Sequence, residues 1–102
     1  MTQYEARQYA MAHNDVIFLD IRSFQEHRER AIPGSLHLSY FEMSYQRAWQ
    51  VLGQPDMRPV MVYCRSGAHS GPAVRRLRQY GYNAVDMGGL DEWEGPLVGY
   101  WA

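Results

Sequence analysis

The chain alternates short apolar runs with helical segments, and this alternation restricts the fold more than any other feature of the sequence. The runs cover residues 15–20, 59–63 and 84–87. Each is rich in β-branched, aromatic or other apolar side chains, as expected of a strand that is buried on both faces of a sheet. Because strands separated by helices imply right-handed crossovers, we expect an α/β fold. It should be a small, mainly parallel sheet with helices on both faces.

Two helix starts are marked by capping boxes. Thr2 with Glu5, and Ser23 with Glu26, have the spacing at which each side chain satisfies a free backbone N–H of the first turn. The first box predicts a helix that ends near His13, and the second predicts a short helix. Both helices would flank the first predicted strand.

Two further helices are predicted from the apolar spacing. Residues 40–52 form one of them, after a brief strand at 36–38. Pro72 suits the first position of the other, where a missing N–H has no cost, and Gly81 is placed to end it. From the first helix and the helix at 40–52, the side chains expected to face the core are Tyr4, Tyr9, Met11, Phe41, Tyr45, Ala48 and Leu52.

Length and composition exclude several classes of protein. The 102 residues suffice for one domain, so we expect a single domain over 1–102 with its core at about 15–96 and an apolar tail at 97–102. Ten basic residues, all Arg, against 11 acidic ones argue against nucleic acid or a membrane surface as a partner. A membrane span needs roughly 20 apolar residues, and the sequence has no such run and no signal-peptide pattern. The single Cys fits a reducing compartment, so we expect a cytoplasmic protein.

The candidate catalytic residue is that single Cys, Cys64. It directly follows the predicted strand at 59–63, and ligands of an open parallel sheet bind beyond the carboxyl ends of the strands. The small residues at 65–70 allow backbone N–H groups to turn inward as an anion site, beside the positive end of the next helix. That field favours the thiolate, the nucleophilic form of Cys. The alternative is a Cys that only completes a buried strand.

Five short segments stand along the chain in a fixed order: VIFLDIR at 16–22, IPGS at 32–35, CRSG at 64–67, GYNAV at 81–85 and GGLDEW at 88–93. Taken together, they resemble the landmarks of the rhodanese family. The resemblance extends over about residues 15–96 and implies a sulfurtransferase. In that family the loop Cys takes a sulfane sulfur from a donor such as thiosulfate and holds it as a persulfide. It then passes the sulfur to an acceptor such as a thiol or cyanide.

The resemblance also implies roles for the residues of the Cys loop. Cys64 is the nucleophile and the persulfide carrier, and the N–H groups that follow it bind the anionic donor and then the persulfide. The implied partners are a small sulfur-containing anion and a thiol, cyanide or a sulfur-acceptor protein. No metal or organic cofactor is implied, because one Cys and four scattered His form no ligand pattern. The expected substrate-binding residues are Arg65, Ser66, Gly67, Ala68, His69 and Ser70.

One position departs from the family. Many members have Arg where this chain has His69, while the following Ser70 matches. Imidazole is not a permanent cation and lacks the planar fork of Arg, so substrate preference or the pH of highest activity would change. Alternatively, His69 caps the helix or faces solvent. The side chain of Arg65 either compensates in part for the missing cation or points away from the loop.

Other polar residues near the predicted strand ends have two interpretations each. Asp20 and Arg22 match the acid-x-basic signature of the family and are expected as supporting residues. They border the active-site rim, or Arg22 pairs with Glu26 or another carboxylate and braces the loop. His37 lines the pocket or is a structural, partly buried residue. The aromatic residues Tyr63, Tyr80, Tyr82 and Trp93 are assigned to packing, and Trp49 and Trp101 are candidates for an exposed surface.

Two other functions are open on the sequence alone. A cysteine-dependent phosphatase of this fold needs Arg at the sixth position after the Cys, and that position is Ser70 here. A phosphoryl group would therefore lack its bidentate partner. The other alternative is a rhodanese-like domain that no longer turns over and serves as an interaction or sulfur-relay module. The departure at His69 keeps this alternative open.

Overall fold

The computed structural model describes residues 2–100, and within them four strands form a parallel sheet. The strands are β1 (Ile17–Asp20), β2 (Leu36–His37), β3 (Pro59–Cys64) and β4 (Asn83–Gly89). Their order across the sheet is β2-β1-β3-β4, and each neighbouring pair is parallel. The predicted α/β fold with a mainly parallel sheet is therefore confirmed.

One α-helix precedes the first strand and three lie between strands of the described residues, and both predicted capping boxes are present. None of the helices in the described part of the chain is long and apolar enough to cross a membrane. The helices are α1 (Gln3–Ala12), α2 (Phe24–Glu29), α3 (Tyr45–Leu52) and α4 (Ser70–Gln79), with short 3-10 turns at Tyr40–Glu42 and Leu90–Glu92.

The central strand β3 contributes to two separate hydrophobic cores. All six of its residues are buried, and successive side chains point to opposite faces of the sheet. Val60, Val62 and Cys64 pack on the face covered by α3 and α4. Met61 and Tyr63 pack on the other face, which α1 covers. Cys64 thus ends a strand whose position is fixed by packing on both sides.

The predicted inner face of α1 is wrong for two side chains. Tyr4 and Met11 are each 73% exposed, whereas Ala6 is completely buried and Tyr9 packs beside it. Tyr4 and Met11 lie two and five positions from Ala6, which places them on the opposite side of a helix. The small Ala6 brings α1 close to the sheet and leaves the larger side chains in solvent.

The predicted helix at residues 40–52 is divided into a 3-10 turn and α3. The division follows from Ser44, whose side chain accepts a hydrogen bond from a backbone N–H of the first turn of α3 and caps it. Ala48 and Leu52 are buried as predicted. Tyr45 was assigned to the same face and is 54% exposed, because it stands at the very start of α3.

Helix α4 begins two residues earlier than predicted. Pro72 is its third residue rather than its first. The missing N–H of Pro72 still falls among the first four, which have no acceptor inside a helix, so the position has no hydrogen-bond cost. The helix N-terminus is consequently closer to Cys64 along the chain than the sequence pattern indicated.

The described part of the C-terminal tail packs on the rest of the chain. Val98 pairs with Ala31 as an antiparallel bridge, and the N–H of Tyr100 donates to the carbonyl of Arg28 at 2.8 Å.

Trp101 lies outside the described residues, and Trp49 is 44% exposed. Of the four aromatic residues assigned to packing, Tyr63 and Tyr82 are buried, and Tyr80 and Trp93 pack partly buried against the two cores.

Candidate active site

Cys64 lies at the carboxyl end of β3, where the chain leaves the sheet and enters the loop that leads into α4. The residue is buried, with 4% of its surface exposed. Its Sγ accepts a hydrogen bond from the N–H of Gly67 at 2.9 Å. Cys64 also lines a cavity of about 300 Å³. The thiol is therefore recessed in the protein but borders open space, with one backbone donor directed at the sulfur.

The loop after Cys64 is held by backbone contacts and by one hydroxyl. Gly67 has φ of 92°, a conformation that favours glycine. The hydroxyl of Ser70, which is completely buried, donates to the carbonyl of Gly67 at 3.2 Å. The N–H of Asp91 donates to the carbonyl of Arg65 at 3.2 Å. The side chain of Ser70 therefore braces the loop, and only its backbone N–H is left for the predicted role in binding.

Gly89 permits this loop to lie directly against β4. It is the residue that pairs with Cys64 across the sheet. A Cβ placed on Gly89 would lie 2.7 Å from the carbonyl carbon of Ser66 and 2.8 Å from the carbonyl oxygen of Arg65. Two adjacent glycines usually mark a tight turn, but Gly88 and Gly89 both belong to β4. The residue type at 89 is dictated by the close approach of two backbones.

The predicted loop residues divide between the cavity wall and the interior. Cys64, Arg65, Ser66, Ala68 and His69 line the cavity. All of these except Cys64 are exposed. The structure thus brings most of the predicted substrate-binding residues together around the sulfur. That any of these residues binds a substrate, through a side chain or a backbone N–H, stays a prediction.

An aromatic wall, formed by Tyr40, Phe41 and His69, lies beside the thiol. The ring centroid of His69 is 4.8 Å from that of Tyr40 and 5.5 Å from that of Phe41. His69 occupies the N-cap position of α4, but its side chain makes no capping hydrogen bond there. Of the two structural interpretations of His69, capping is therefore wrong, and the exposed ring packs on its aromatic neighbours.

Phe41 is a wall residue that the sequence pattern assigned to the core. It is instead 83% exposed at the cavity. The guanidinium carbon of Arg76 lies 5.4 Å from the centroid of the Tyr40 ring, on the α4 side of the wall. The position of residues 40 and 41 just after β2, at the same edge of the sheet as Cys64, was the signal that could have indicated this wall.

Asp20 and Arg22 form an ion pair beneath the opposite side of the cavity. The Arg22 Nη2 atom lies 2.7 Å from Asp20 Oδ2, and the Arg22 backbone N–H donates to Oδ1 at 2.9 Å. Burial alone would lower the pKa of Arg22, but its hydrogen bonds to Asp20 and the attraction between the charges raise it overall. Arg22 lines the cavity, whereas Asp20 is completely buried. The carboxylate that partners Arg22 is thus Asp20 rather than Glu26.

Asp20 is also the centre of a buried polar network that sequence reasoning missed. His27 Nδ1 lies 3.0 Å and Tyr63 Oη 3.1 Å from the same Oδ2 atom of Asp20. Tyr63 Oη also accepts from the N–H of Ile32 at 3.2 Å. Burial and the nearby negative charge raise the pKa of Tyr63. The only signal in the sequence was an acidic residue at the end of an otherwise apolar strand.

His37 belongs to the support of this region. Its Nε2 atom lies 2.8 Å from the carbonyl oxygen of Arg22, and its ring is 5.1 Å from that of His27. This agrees with the structural interpretation of His37, since the imidazole bonds to the backbone of the loop after β1. No group of three or more metal-ligating side chains comes together within residues 2–100.

A second, wider groove of about 600 Å³ adjoins the cavity. Arg22, Glu26 and Arg65 line both spaces, so the two share one wall. Arg30 and Asp91 add further charges to the wider groove. The thiol side is thus narrow and partly aromatic, while the neighbouring groove is broad and charged.

Known proteins resemble this chain in sequence. A "Sulfurtransferase" of Allochromatium vinosum is 36% identical over 81 residues, which cover 78% of this chain and 72% of that protein. A "tRNA sulfurtransferase" of Desulfurococcus amylolyticus is 33% identical over 84 residues. That match covers 81% of this chain but spans only 16% of the length of the relative.

The fold and the family model agree with these relatives. A structure described as rhodanese with anions from E. coli matches with a TM-score of 0.64 and 29% identity, covering 80% of this chain and 95% of that one. The family model described as "Rhodanese-like domain" matches residues 2–96. With nearly the whole chain matched, a parallel sheet of the same architecture and relatives named sulfurtransferases, the protein belongs to the rhodanese-like domain family of transferases.

Proposed function

We propose that the chain is a sulfurtransferase that moves a sulfane sulfur through a persulfide on Cys64. The donor is an anion such as thiosulfate, and the acceptor is a thiol or cyanide. The observation that carries the proposal is the hydrogen bond from the Gly67 N–H to Sγ at 2.9 Å, in a Cys that lines a cavity. A sulfur that only filled the core would need neither the backbone donor nor the open space.

Two groups near Sγ are suited to stabilise the negative charge that the sulfur carries during the transfer. The Gly67 N–H and the N-terminus of α4, which begins at Ser70, both favour negative charge near the sulfur. In the first half-reaction, the thiolate forms a bond to the outer sulfur of thiosulfate. The S–S bond of the donor breaks, and its electron pair leaves with sulfite. Cys64 then carries a persulfide anion, and the total charge is unchanged.

The second half-reaction restores the thiolate. A thiolate or cyanide acceptor attacks the outer sulfur of the persulfide, and the electron pair of the S–S bond returns to Sγ. The Gly67 N–H donates to whichever sulfur carries the charge, which is how a fixed donor lowers a barrier. Such preorganised donors are commonly worth about 3 kcal/mol in the transition state.

Mass spectrometry of the intact protein tests this proposal. After incubation with thiosulfate and removal of the excess, the chain should gain the mass of one sulfur atom, and cyanide should remove it as thiocyanate. Cys64→Ser should gain nothing. Met57→Ala, which keeps the thiol and changes a side chain that is 85% exposed and lies outside the cavity lining, should gain sulfur like the original chain. If the original chain gains no sulfur from any sulfane donor, the proposal is wrong and an interaction module becomes the better explanation.

A further inference from the structure

His27 is a buried histidine that the proposed sulfur transfer does not use. It lies in α2 with 8% of its surface exposed, and its Nδ1 atom is 3.0 Å from Asp20 Oδ2. The same Oδ2 atom accepts a hydrogen bond from Arg22 Nη2 at 2.7 Å. One carboxylate oxygen therefore serves both a permanent cation and a histidine, the side chain type whose charge normally changes between about pH 5 and pH 8.

The geometry fixes which nitrogen of the His27 ring takes up a proton. The carboxylate of Asp20 is paired with Arg22 and can only accept hydrogen bonds, so the Nδ1 atom of a neutral His27 carries the N–H. A proton taken up from solvent then binds to Nε2. The bond from Nδ1 to Asp20 is kept, and it becomes stronger because its donor is now charged.

Two other rings lie against His27. The centroids of the Tyr100 and His37 rings are each 5.1 Å from that of His27. His37 competes for the same proton, because two charged rings at this distance repel each other. His37 meets the carbonyl oxygen of Arg22, whereas His27 meets a full carboxylate charge, so the first proton goes to His27. The charged and titratable groups around the ring are Asp20, Arg22, His37, Tyr63 and Tyr100, with Glu26 and Arg28 on α2 itself.

The charge of His27 reaches the Cys64 cavity through Asp20 and Arg22. Asp20 and Arg22 together carry no net charge while His27 is neutral, and the three residues carry one positive charge once His27 is protonated. Arg22 lines the cavity and the wider groove, whereas Asp20 is completely buried. A carboxylate that is shared with a second cation neutralises Arg22 less, so an anion in the cavity meets a more positive wall.

We propose that His27 acts through Asp20 as a positioning residue for Arg22, and that protonation of His27 strengthens the binding of the anionic sulfur donor. The inference rests on the proposed function and adds a control by pH to the same site. One added unit charge, screened by the solvent in the cavity, should change the affinity for the donor by roughly threefold to tenfold. The transfer step itself keeps the total charge, so its maximal rate should change little.

The first experiment measures how fast thiosulfate loads Cys64 between about pH 8 and pH 6, by quenching and intact mass spectrometry. Loading at several thiosulfate concentrations gives a half-saturating concentration and a maximal rate. His27→Asn keeps a neutral N–H near the position of Nδ1 and takes up no proton. Relative to this variant, the half-saturating concentration of the original chain should fall roughly threefold to tenfold as pH falls, at a constant ratio of maximal rates. Charge changes at Cys64 and His69 are common to both chains and cancel.

The matched control is His13→Asn. His13 is an exposed histidine at the end of α1, outside the cavity lining, so its removal should leave the pH dependence of the original chain unchanged. His37→Asn removes the second histidine beside His27 and should also keep the pH-dependent step. If the step persists in His27→Asn, or disappears only in His37→Asn, the inference is wrong.

NMR of the original chain tests the coupling without a substitution or a substrate. The ring signals of His27 should titrate between about pH 5 and pH 8. The Nε–H signal of Arg22, which donates to Asp20 Oδ1 at 3.0 Å, should shift with the same midpoint. If the His27 ring does not titrate in this range, or the Arg22 signal does not follow it, the inference is overturned even where His27→Asn does not fold.

The outcomes separate this inference from the proposed function. If thiosulfate loads Cys64 with the same pH dependence in the original chain and in His27→Asn, the inference is wrong and the sulfurtransferase proposal stands. If no sulfane donor loads Cys64, both are wrong. A step in loading that follows the His27 ring signals and is absent from His27→Asn supports the inference.

Discussion

Two loops leave the same edge of the sheet, and they are held in opposite ways. The loop after β1 is fixed by charge, because Arg22 binds Asp20 through its guanidinium and its backbone N–H. The loop after β3 is fixed by its own backbone, by the Ser70 hydroxyl and by the absence of a side chain at Gly89. The two loops face each other across the Cys64 cavity.

The difference explains which loop is available for chemistry. In the first loop the charged groups already have partners, so it forms a rigid wall with little left to offer a ligand. In the second loop, small residues keep side chains away from the sulfur, and the Gly67 N–H points at it. The proposed anion site therefore lies in the second loop, where a backbone N–H rather than a charged side chain meets the sulfur.

The largest effect should come from removing the charge in the first loop. Asp20→Asn leaves Arg22 and His27 without their shared buried carboxylate and should lower the free energy of unfolding by about 3–5 kcal/mol. Denaturant titration measures it. Asp56→Asn is the matched control, since the side chains of Asp56 and Arg58 are 50% and 44% exposed, and it should cost about 0–1 kcal/mol. Equal losses in both variants would contradict the comparison.

The loop after β3 should be most sensitive to a substitution at Gly89, the β4 residue that lies against it. In Gly89→Ala the new methyl group meets the backbone of Ser66 and Arg65, and overpacking of this kind costs about 1–3 kcal/mol. The rate of sulfur loading from thiosulfate should also fall, because the loop after β3 must move to make room for the methyl group. Gly71→Ala is the control, as its Cβ would have ordinary contacts, the nearest at 3.7 Å. If Gly71→Ala slows loading as much as Gly89→Ala, the close approach at 89 is not the cause.

Tyr63 contacts Asp20 at the end of β1, and its ionisation makes the free energy of unfolding depend on pH. The pKa of Tyr63 is raised above the ordinary value of 10.0 by burial and by Asp20, so its contribution to stability is complete below that pH. Above it, the unfolded chain loses the proton first, and the free energy of unfolding falls as pH rises. Tyr63→Phe should lower the free energy of unfolding by about 1–3 kcal/mol at neutral pH, because it removes the phenol's hydrogen bonds. At alkaline pH the free energy of unfolding of this variant should fall less steeply than that of the original chain.

Chemical denaturation in steps above pH 9 would measure this alkaline decline. Burial also raises the pKa of Tyr82, but Tyr82 is present in both chains. The difference between their stability–pH curves therefore isolates the contribution of Tyr63. Parallel declines in the two chains would show that the buried network does not govern the alkaline limit.

The smallest effect is expected at the hydroxyl of Ser70. Ser70→Ala removes its hydrogen bond to the Gly67 carbonyl and should cost about 1 kcal/mol of stability. Since the Gly67 N–H is untouched, sulfur loading should still occur. A complete loss of loading, with the chain folded, would mean that the hydroxyl takes part in the chemistry.

Signals that were local in the sequence predicted the architecture correctly. The capping boxes at Thr2 and Ser23 require only residues within one turn, and both are present. The apolar run at 59–63 predicted β3 and the place of Cys64 at its carboxyl end, because the run is local and ligands of a parallel sheet bind beyond the carboxyl ends of its strands. One local signal was overlooked, the cap at Ser44 that divides the predicted helix.

Features that depend on distant residues were outside the reach of the sequence. The contacts of Asp20 with His27 and Tyr63 join three elements, and no spacing rule encodes them. Phe41 was assigned to the core because its residue type usually is, yet it forms part of the cavity wall. The requirement for Gly at 89 appears only when the loop after β3 is seen against β4.

The alternation along β3 has a consequence for any attempt to rebuild this protein. Cys64 and Tyr63 are neighbours in the chain but serve opposite halves of the molecule. Adding or deleting one residue inside the strand would move the Cys64 sulfur to the face of the sheet that now holds the Tyr63 ring. The Tyr63 ring would move to the face that now holds the sulfur. Engineered changes of length inside β3 must therefore come in even steps.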